Sequence, residues 1–180
     1  SLTLRCDGRA KSTAACSIRR MSTISGLPAH PLLVHFIVVL APLTAVLAIL
    51  CALWPAARQR LVWLVLALAA ATAVLTPIAA EAGEWLEHRV EETALLKTHE
   101  ELGETMLWFS LALLVAAILL AVLHVRADRG KPLSTVLGAV VAVFVVIAGV
   151  ATTVQVYRVG HSGAESVWSD ALQQGEADED

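Results

Sequence analysis

Five of the six histidines in the 180-residue chain, His30, His35, His88, His99 and His161, stand beside the same end of four long apolar segments. If those segments cross a bilayer in alternating directions, the five imidazoles collect at one membrane face. Imidazole is the commonest protein ligand for metals and also holds haem iron, and ionisable side chains near membrane depth are costly enough to mark sites. The chemistry open to these residues is ligation of a b-type haem or of a divalent transition metal. The competing account is hydrogen bonding to polar backbone at the helix ends.

Spacing separates the candidates. His30 and His35 lie in Leu27-Pro28-Ala29-His30-Pro31-Leu32-Leu33-Val34-His35-Phe36. Five positions on an α-helix are about 140° apart, so the two do not ligate one ion together from a regular helix. His30 reads as an interfacial cap or a ligand; His35, inside an apolar run, needs a specific polar partner or serves as a ligand. His88 follows Glu81 and Glu84 and extends the Ala69, Ala73, Pro77 stripe, or else belongs to a solvated acidic helix end. His99 shares a helix face with Gly103 and Ser110, so it should look into the bundle through a small-residue notch and is the foremost ligand candidate. Glu100 and Glu104 either accept hydrogen bonds from a ligating imidazole or are solvated.

His161 lies in Tyr157-Arg158-Val159-Gly160-His161-Ser162-Gly163-Ala164. Two glycines bracketing His-Ser point to a turn that folds back over the bundle end, with a helix terminus and glycine stop as the alternative. Arg158 pairs with a carboxylate or with a haem propionate. The expectation is that His35, His99 and His161 approach one another as haem or metal ligands, with His88, His30 and Arg158 at the same site.

The elements that must position these residues follow from composition. The chain is 57% hydrophobic and only 16% charged, with mean hydropathy +0.71, where a soluble domain carries about a quarter charged residues. It reads as all-α: an integral membrane protein of four antiparallel transmembrane helices in an up-down-up-down bundle. The spans are 29–54, 61–80, 105–124 and 132–157, each meeting the roughly 20 apolar residues that a bilayer core requires. Pro31 suits a first helical turn, and Pro55 is expected to end span one. Residues 81–104 read as helical extensions of spans two and three, with a turn between 90 and 99. Span four carries a small-residue face, Gly138, Ala142, Gly149 and Thr153. Gly103, Ser110, Ala73 and Gly149 are expected to face inward or toward another helix.

Residues 1–26 read as a disordered tail, 27–168 as the membrane domain and 169–180 as an acidic tail. Met21 is either the natural start, with an upstream extension before it, or part of a genuine basic tail. Arg58 and Arg60 follow span one, and Arg126, Arg129 and Lys131 follow span three. The positive-inside rule puts both loops in the cytoplasm, and both termini with the histidines outside it.

Net charge is −3 with no basic stripe, so nucleic acid is not an expected partner. Cys6, Cys16 and Cys51 form neither a disulfide framework nor a Cys-x-x-Cys motif, so any haem would be non-covalent. No Ser-His-Asp arrangement, phosphate loop or His-Glu-x-x-His motif supports an enzyme acting on its own.

His-Pro-x-x-Val-His-Phe from His30, a histidine entering span three and Gly-His-Ser-Gly-Ala from Gly160 together resemble a bacterial membrane family, domain of unknown function 2231. The resemblance covers 27–168. It implies the four-helix architecture, the bacterial cytoplasmic membrane and the importance of His30, His35, His99 and His161, and it brings no activity with it. Family members often read His-Phe-Pro-Ile where this chain has His35-Phe36-Ile37-Val38, so a kink there is not implied; Pro42 is placed to bend the helix further in.

Three function classes remain. In one, a haem or metal at the outer end exchanges electrons with a quinone or with a membrane or extracytoplasmic redox protein. In the second, the chain is an accessory or assembly subunit whose small-residue faces dock a larger complex. A transporter ranks last, because the spans are continuous and lack midplane charge.

Overall fold

The computed structural model describes residues 23–24, 27–87, 94–131 and 134–177, with helical side chains described over 33–83, 97–99, 101–131 and 134–165. A minimal antiparallel pair, β1 (Thr23–Ile24) with β2 (Leu27–Pro28), precedes four helices: α1 (Ala29–Leu53), α2 (Pro55–Glu87), α3 (Ala94–Asp128) and α4 (Thr135–Ala177). Each contains a stretch long and apolar enough to cross a membrane: Leu33–Leu53, Pro55–Gly83, Lys97–Asp128 and Thr135–Glu165. The shortest, 21 residues, already reaches about 31 Å at 1.5 Å per residue, against a hydrocarbon core of about 30 Å. The all-α membrane bundle expected from composition is the observed fold.

Helices packed side by side run α1, α2, α3, α4 and back to α1, with α1 and α3 touching across the diagonal. One apolar cluster joins the end of α1 (Ala48, Cys51) to the start of α2 (Val62, Val65), and the end of α3 (Ala117, Leu120) to the start of α4 (Val141, Val145). A second, smaller cluster, Ile37, Ala41, Ala79, Met106 and Val156, lies toward the opposite end. Between them each helix contributes a fully buried hydroxyl: Thr44, Thr72, Ser110 and Thr152. Each donates to a carbonyl of its own helix, of Leu40, Leu68, Leu107 and Ala148, at 2.7–2.8 Å. Hydroxyls satisfied in this way let helices approach closely where lipid offers no hydrophobic drive for association.

Two boundaries differ from expectation. Pro55, expected to end span one, also opens α2 six residues before the expected start of span two: α1 ends at Leu53, only Trp54 is non-helical between the two helices, and proline has no N–H to lose at a first helical position. Arg58 and Arg60 therefore sit in the first turns of α2. Helix α3 already runs from Ala94, and the rest of the stretch expected to hold a turn, 90–93, lies outside the described residues. Helix α4 continues through Gly160 and Gly163 to Ala177, so neither a folded-back turn nor a glycine stop occurs there. A helical glycine costs only about 1 kcal/mol relative to alanine, which packing readily offsets. The glycine that does end a helix is Gly130, at φ +66°, where the Gly130 N–H donates to the Ala127 carbonyl and the Lys131 N–H to the Arg126 carbonyl, both 3.0 Å.

Candidate functional site

The second apolar cluster does not fill its end of the bundle. All four helices surround a small pocket of about 70 Å³ open on one side: Val34, Ile37 and Val38 of α1, Thr76, Ala79 and Ala80 of α2, His99, Gly103 and Met106 of α3, and Val156 and Val159 of α4. The Thr76 hydroxyl donates to the Thr72 carbonyl at 2.8 Å, and His99 is the one imidazole of the wall.

His99 is held from α4. Its Nδ1 lies 3.1 Å from the Oγ of buried Ser162, and that hydroxyl donates to the Val159 carbonyl at 3.0 Å. Beside it, a Cβ built on Gly163 would come within 3.0 Å of His99 Cε1 and 3.3 Å of Nδ1, so the ring fits because that glycine has no side chain. Gly103 offers the opposite case: a Cβ there meets nothing within 4 Å and enters the pocket space. Two turns earlier on α4, buried Gln155 donates from Nε2 to the Leu102 carbonyl (3.0 Å) and to Thr105 Oγ1 (2.7 Å), fixing the register of α3 on α4 next to the pocket.

The other expected site residues are distributed differently. His161 projects from another face of α4, its side chain 56% exposed, with Nδ1 3.5 Å from Glu165 Oε2 and its ring tilted on Tyr157 at 5.9 Å. His35 and Arg158 are exposed on α1 and α4. His30 has its backbone in the first turn of α1, with its side chain outside the described residues, and His88 lies outside them altogether. Among the described residues no group of three or more His, Cys, Asp or Glu side chains is placed to hold a metal ion. Successive helical positions are 100° apart, so once Ser162 faces His99 the neighbouring His161 must point elsewhere. The inward set fares better: Ser110 and Gly149 are buried, Ala73 is half-buried and Gly103 lines the pocket.

Ser162, Gly163 and Gln155 were not singled out by sequence reasoning as partners of α3. A lone amide inside an uncharged apolar run was the available signal for Gln155. For Ser162 no local signal exists, because its role depends on which helix lies opposite.

The chain matches the family described as "Predicted membrane protein (DUF2231)" over residues 26–176, a stretch that contains all four membrane-length segments and the whole pocket. It belongs to that family. No curated protein and no solved structure matches it. Family membership and the four membrane-length helices agree that this is an integral membrane protein, residing in a lipid bilayer.

Proposed function

We propose that the protein binds a lipid-soluble molecule with one polar head group, of the quinone class, in the pocket at the His99 end of the bundle. The observation that carries this reading is the pocket wall: apolar residues from four helices around a single imidazole. Such an almost wholly apolar wall suits an apolar ring or tail, with a polar head group left at the open side. The basic residues Arg58, Arg60, Arg126, Arg129 and Lys131 at the other end support a cytoplasmic-membrane orientation with the pocket on the extracytoplasmic side and both termini there.

A haem clamped by two axial imidazoles, or an ion held by three, asks for several ligands around one centre, and the described residues bring one histidine to the pocket. The quinone reading needs no second imidazole. The accessory-subunit reading draws support from a different feature: α4 runs 12 residues past Glu165, about 18 Å, where a soluble partner could engage it.

Equilibrium dialysis of the detergent-purified protein with decylubiquinone and its quinol, alongside a visible spectrum, tests the proposal. Saturable binding of one molecule per chain is expected, lost in Gly103→Leu, which extends a side chain into the pocket, and weakened in His99→Ala. A preparation that binds neither probe, or one that shows a Soret band lost in His99→Ala, overturns it; the second result restores haem.

A further inference from the structure

We propose that the seam between α2 and α3 at the basic end of the bundle seats the head group of a phosphatidylethanolamine, its phosphate on Arg60 and its ammonium on Asp128. This seat lies at the end opposite the pocket and does not depend on what the pocket binds.

Two rings mark the seam. Trp63 of α2 and His124 of α3 meet with ring centroids 6.2 Å apart at 81°. Trp63 is 55% exposed, so its indole reaches the lipid side of that contact, as rings anchored at head-group level do. Helix α2 leaves this end and α3 arrives at it. The residue three before Trp63 and the residue four after His124 therefore both lie about one turn nearer the membrane edge, on the faces that carry the two rings. Those residues are Arg60 and Asp128. They stand just outside the stretches 61–80 and 105–125, which hold no Asp, Glu, Lys or Arg, and so at the depth of lipid head groups.

The two opposite charges do not neutralise each other. The Asp128 carboxylate leans along its own helix, Oδ2 3.3 Å from His124 Nε2, and among the described residues no ion pair joins it to Arg60. Both side chains are exposed, and Oδ1 of Asp128 is the acceptor left for an incoming donor. A cation on one helix and an anion on the next match a head group that carries a phosphate and an ammonium of its own. The guanidinium forks onto phosphate oxygens, and a primary ammonium brings N–H donors to the carboxylate. Choline has no N–H to bring. Arg58, Arg126, Arg129 and Lys131 make this end attractive to any anionic lipid, but at the seam a second negative charge would meet that of Asp128. The carboxylate is thus the group that discriminates.

Native mass spectrometry of the full chain, released from detergent and titrated with dioleoyl phosphatidylethanolamine, phosphatidylglycerol or phosphatidylcholine, reads the affinity of the first bound lipid. The ethanolamine lipid is expected to bind about tenfold tighter than either of the others, the worth of roughly one hydrogen bond. Asp128→Ala should lower it to the level of the choline lipid and strengthen the glycerol lipid, and Arg60→Gln should weaken all three, since each carries the phosphate. Arg129→Gln, a cation away from the seam, should leave the preference unchanged. Equal affinities for the ethanolamine and choline lipids, tightest binding of the glycerol lipid, or a preference that survives Asp128→Ala overturns the proposal.

Discussion

The described histidines meet different fates that depend on a single turn of helix. His99 enters a pocket wall, and His161, beside Ser162 on the opposing helix, turns toward Glu165 and Tyr157. His124, at the far end, sets its Nε2 3.3 Å from Asp128 Oδ2 and its ring edge-on to Trp63 of α2, a side-chain clamp that the sequence left standing alone. The two glycines nearest His99 make the sharpest residue-scale contrast. Gly163→Ala sets a methyl about 3.0 Å from His99 Cε1, so the ring must shift, and quinol binding is expected to weaken by up to about tenfold, the loss of roughly one hydrogen bond. Gly103→Ala places the same methyl in open space and should leave both folding and the position of His99 intact. Dialysis with the quinol probe checks the pair; equal effects of the two alanines would show that Gly163 does not set the ring.

Between helices, the closest polar coupling runs from α4 to α3. Gln155 is 4% exposed and donates to Thr105 and to the Leu102 carbonyl, which also accepts from Thr105 Oγ1 at 2.8 Å. Removing the amide leaves α3 and α4 joined in this region by apolar contact and by the longer Thr152 to Phe109 carbonyl bond of 3.3 Å. Interhelical hydrogen bonds in membranes average about 0.6 kcal/mol and reach about 1.7, because an unfolded chain in lipid also finds partners. A double-mutant cycle of Gln155→Leu and Thr105→Ala, followed by reversible denaturant unfolding in micelles, should return a coupling in that range. A coupling indistinguishable from zero would mean that the register of α3 on α4 is set by packing alone. Across the bundle, Gly149 meets Ile49 Cδ1 and Ala45 of α1 at 3.0 and 3.5 Å from a built Cβ. Gly149→Ala is expected to be tolerated, since the end of a flexible isoleucine can move, whereas Gly149→Leu should lower the unfolding midpoint in the same assay.

At the level of the molecule, the bundle has two unlike ends. One is closed by the larger apolar cluster and carries the basic residues of the first turns of α2 and the last turn of α3; the other holds the pocket. Closed packing at one end and space at the other favour entry of a ligand from the pocket side. The orientation of that axis is read by cysteine labelling in intact cells, after Cys6 and Cys16 are replaced by serine and buried Cys51 is retained. Lys97→Cys should react with an impermeant maleimide and Gln59→Cys only after permeabilisation, as both positions are exposed and lie at opposite ends. Labelling of Gln59→Cys from outside would reverse the assignment and move the pocket to the cytoplasm.

Whatever depends on the solvent was open to the sequence by itself. Four stretches of uncharged apolar residues have one favourable arrangement in a bilayer, since only helices satisfy their own backbone there, so class, helix number and membrane character followed from composition and length. The inward faces of Ser110 and Gly149 followed too, because small residues at regular helical spacing have few other uses in lipid. The site was legible only as far as His99 and Gly103. Helix ends were misjudged at Pro55 and Gly163 for a common reason: proline and glycine are punctuation only where the backbone has no better partner, and at both places the chain had one. Which imidazole shares a site with which helix depends on rotation about four long axes, and 100° separates a residue that faces the pocket from its neighbour that faces away. That rotation is fixed by contacts between helices distant in sequence, Ser162 with His99 and Gln155 with Thr105, and only the tertiary structure brings those pairs together.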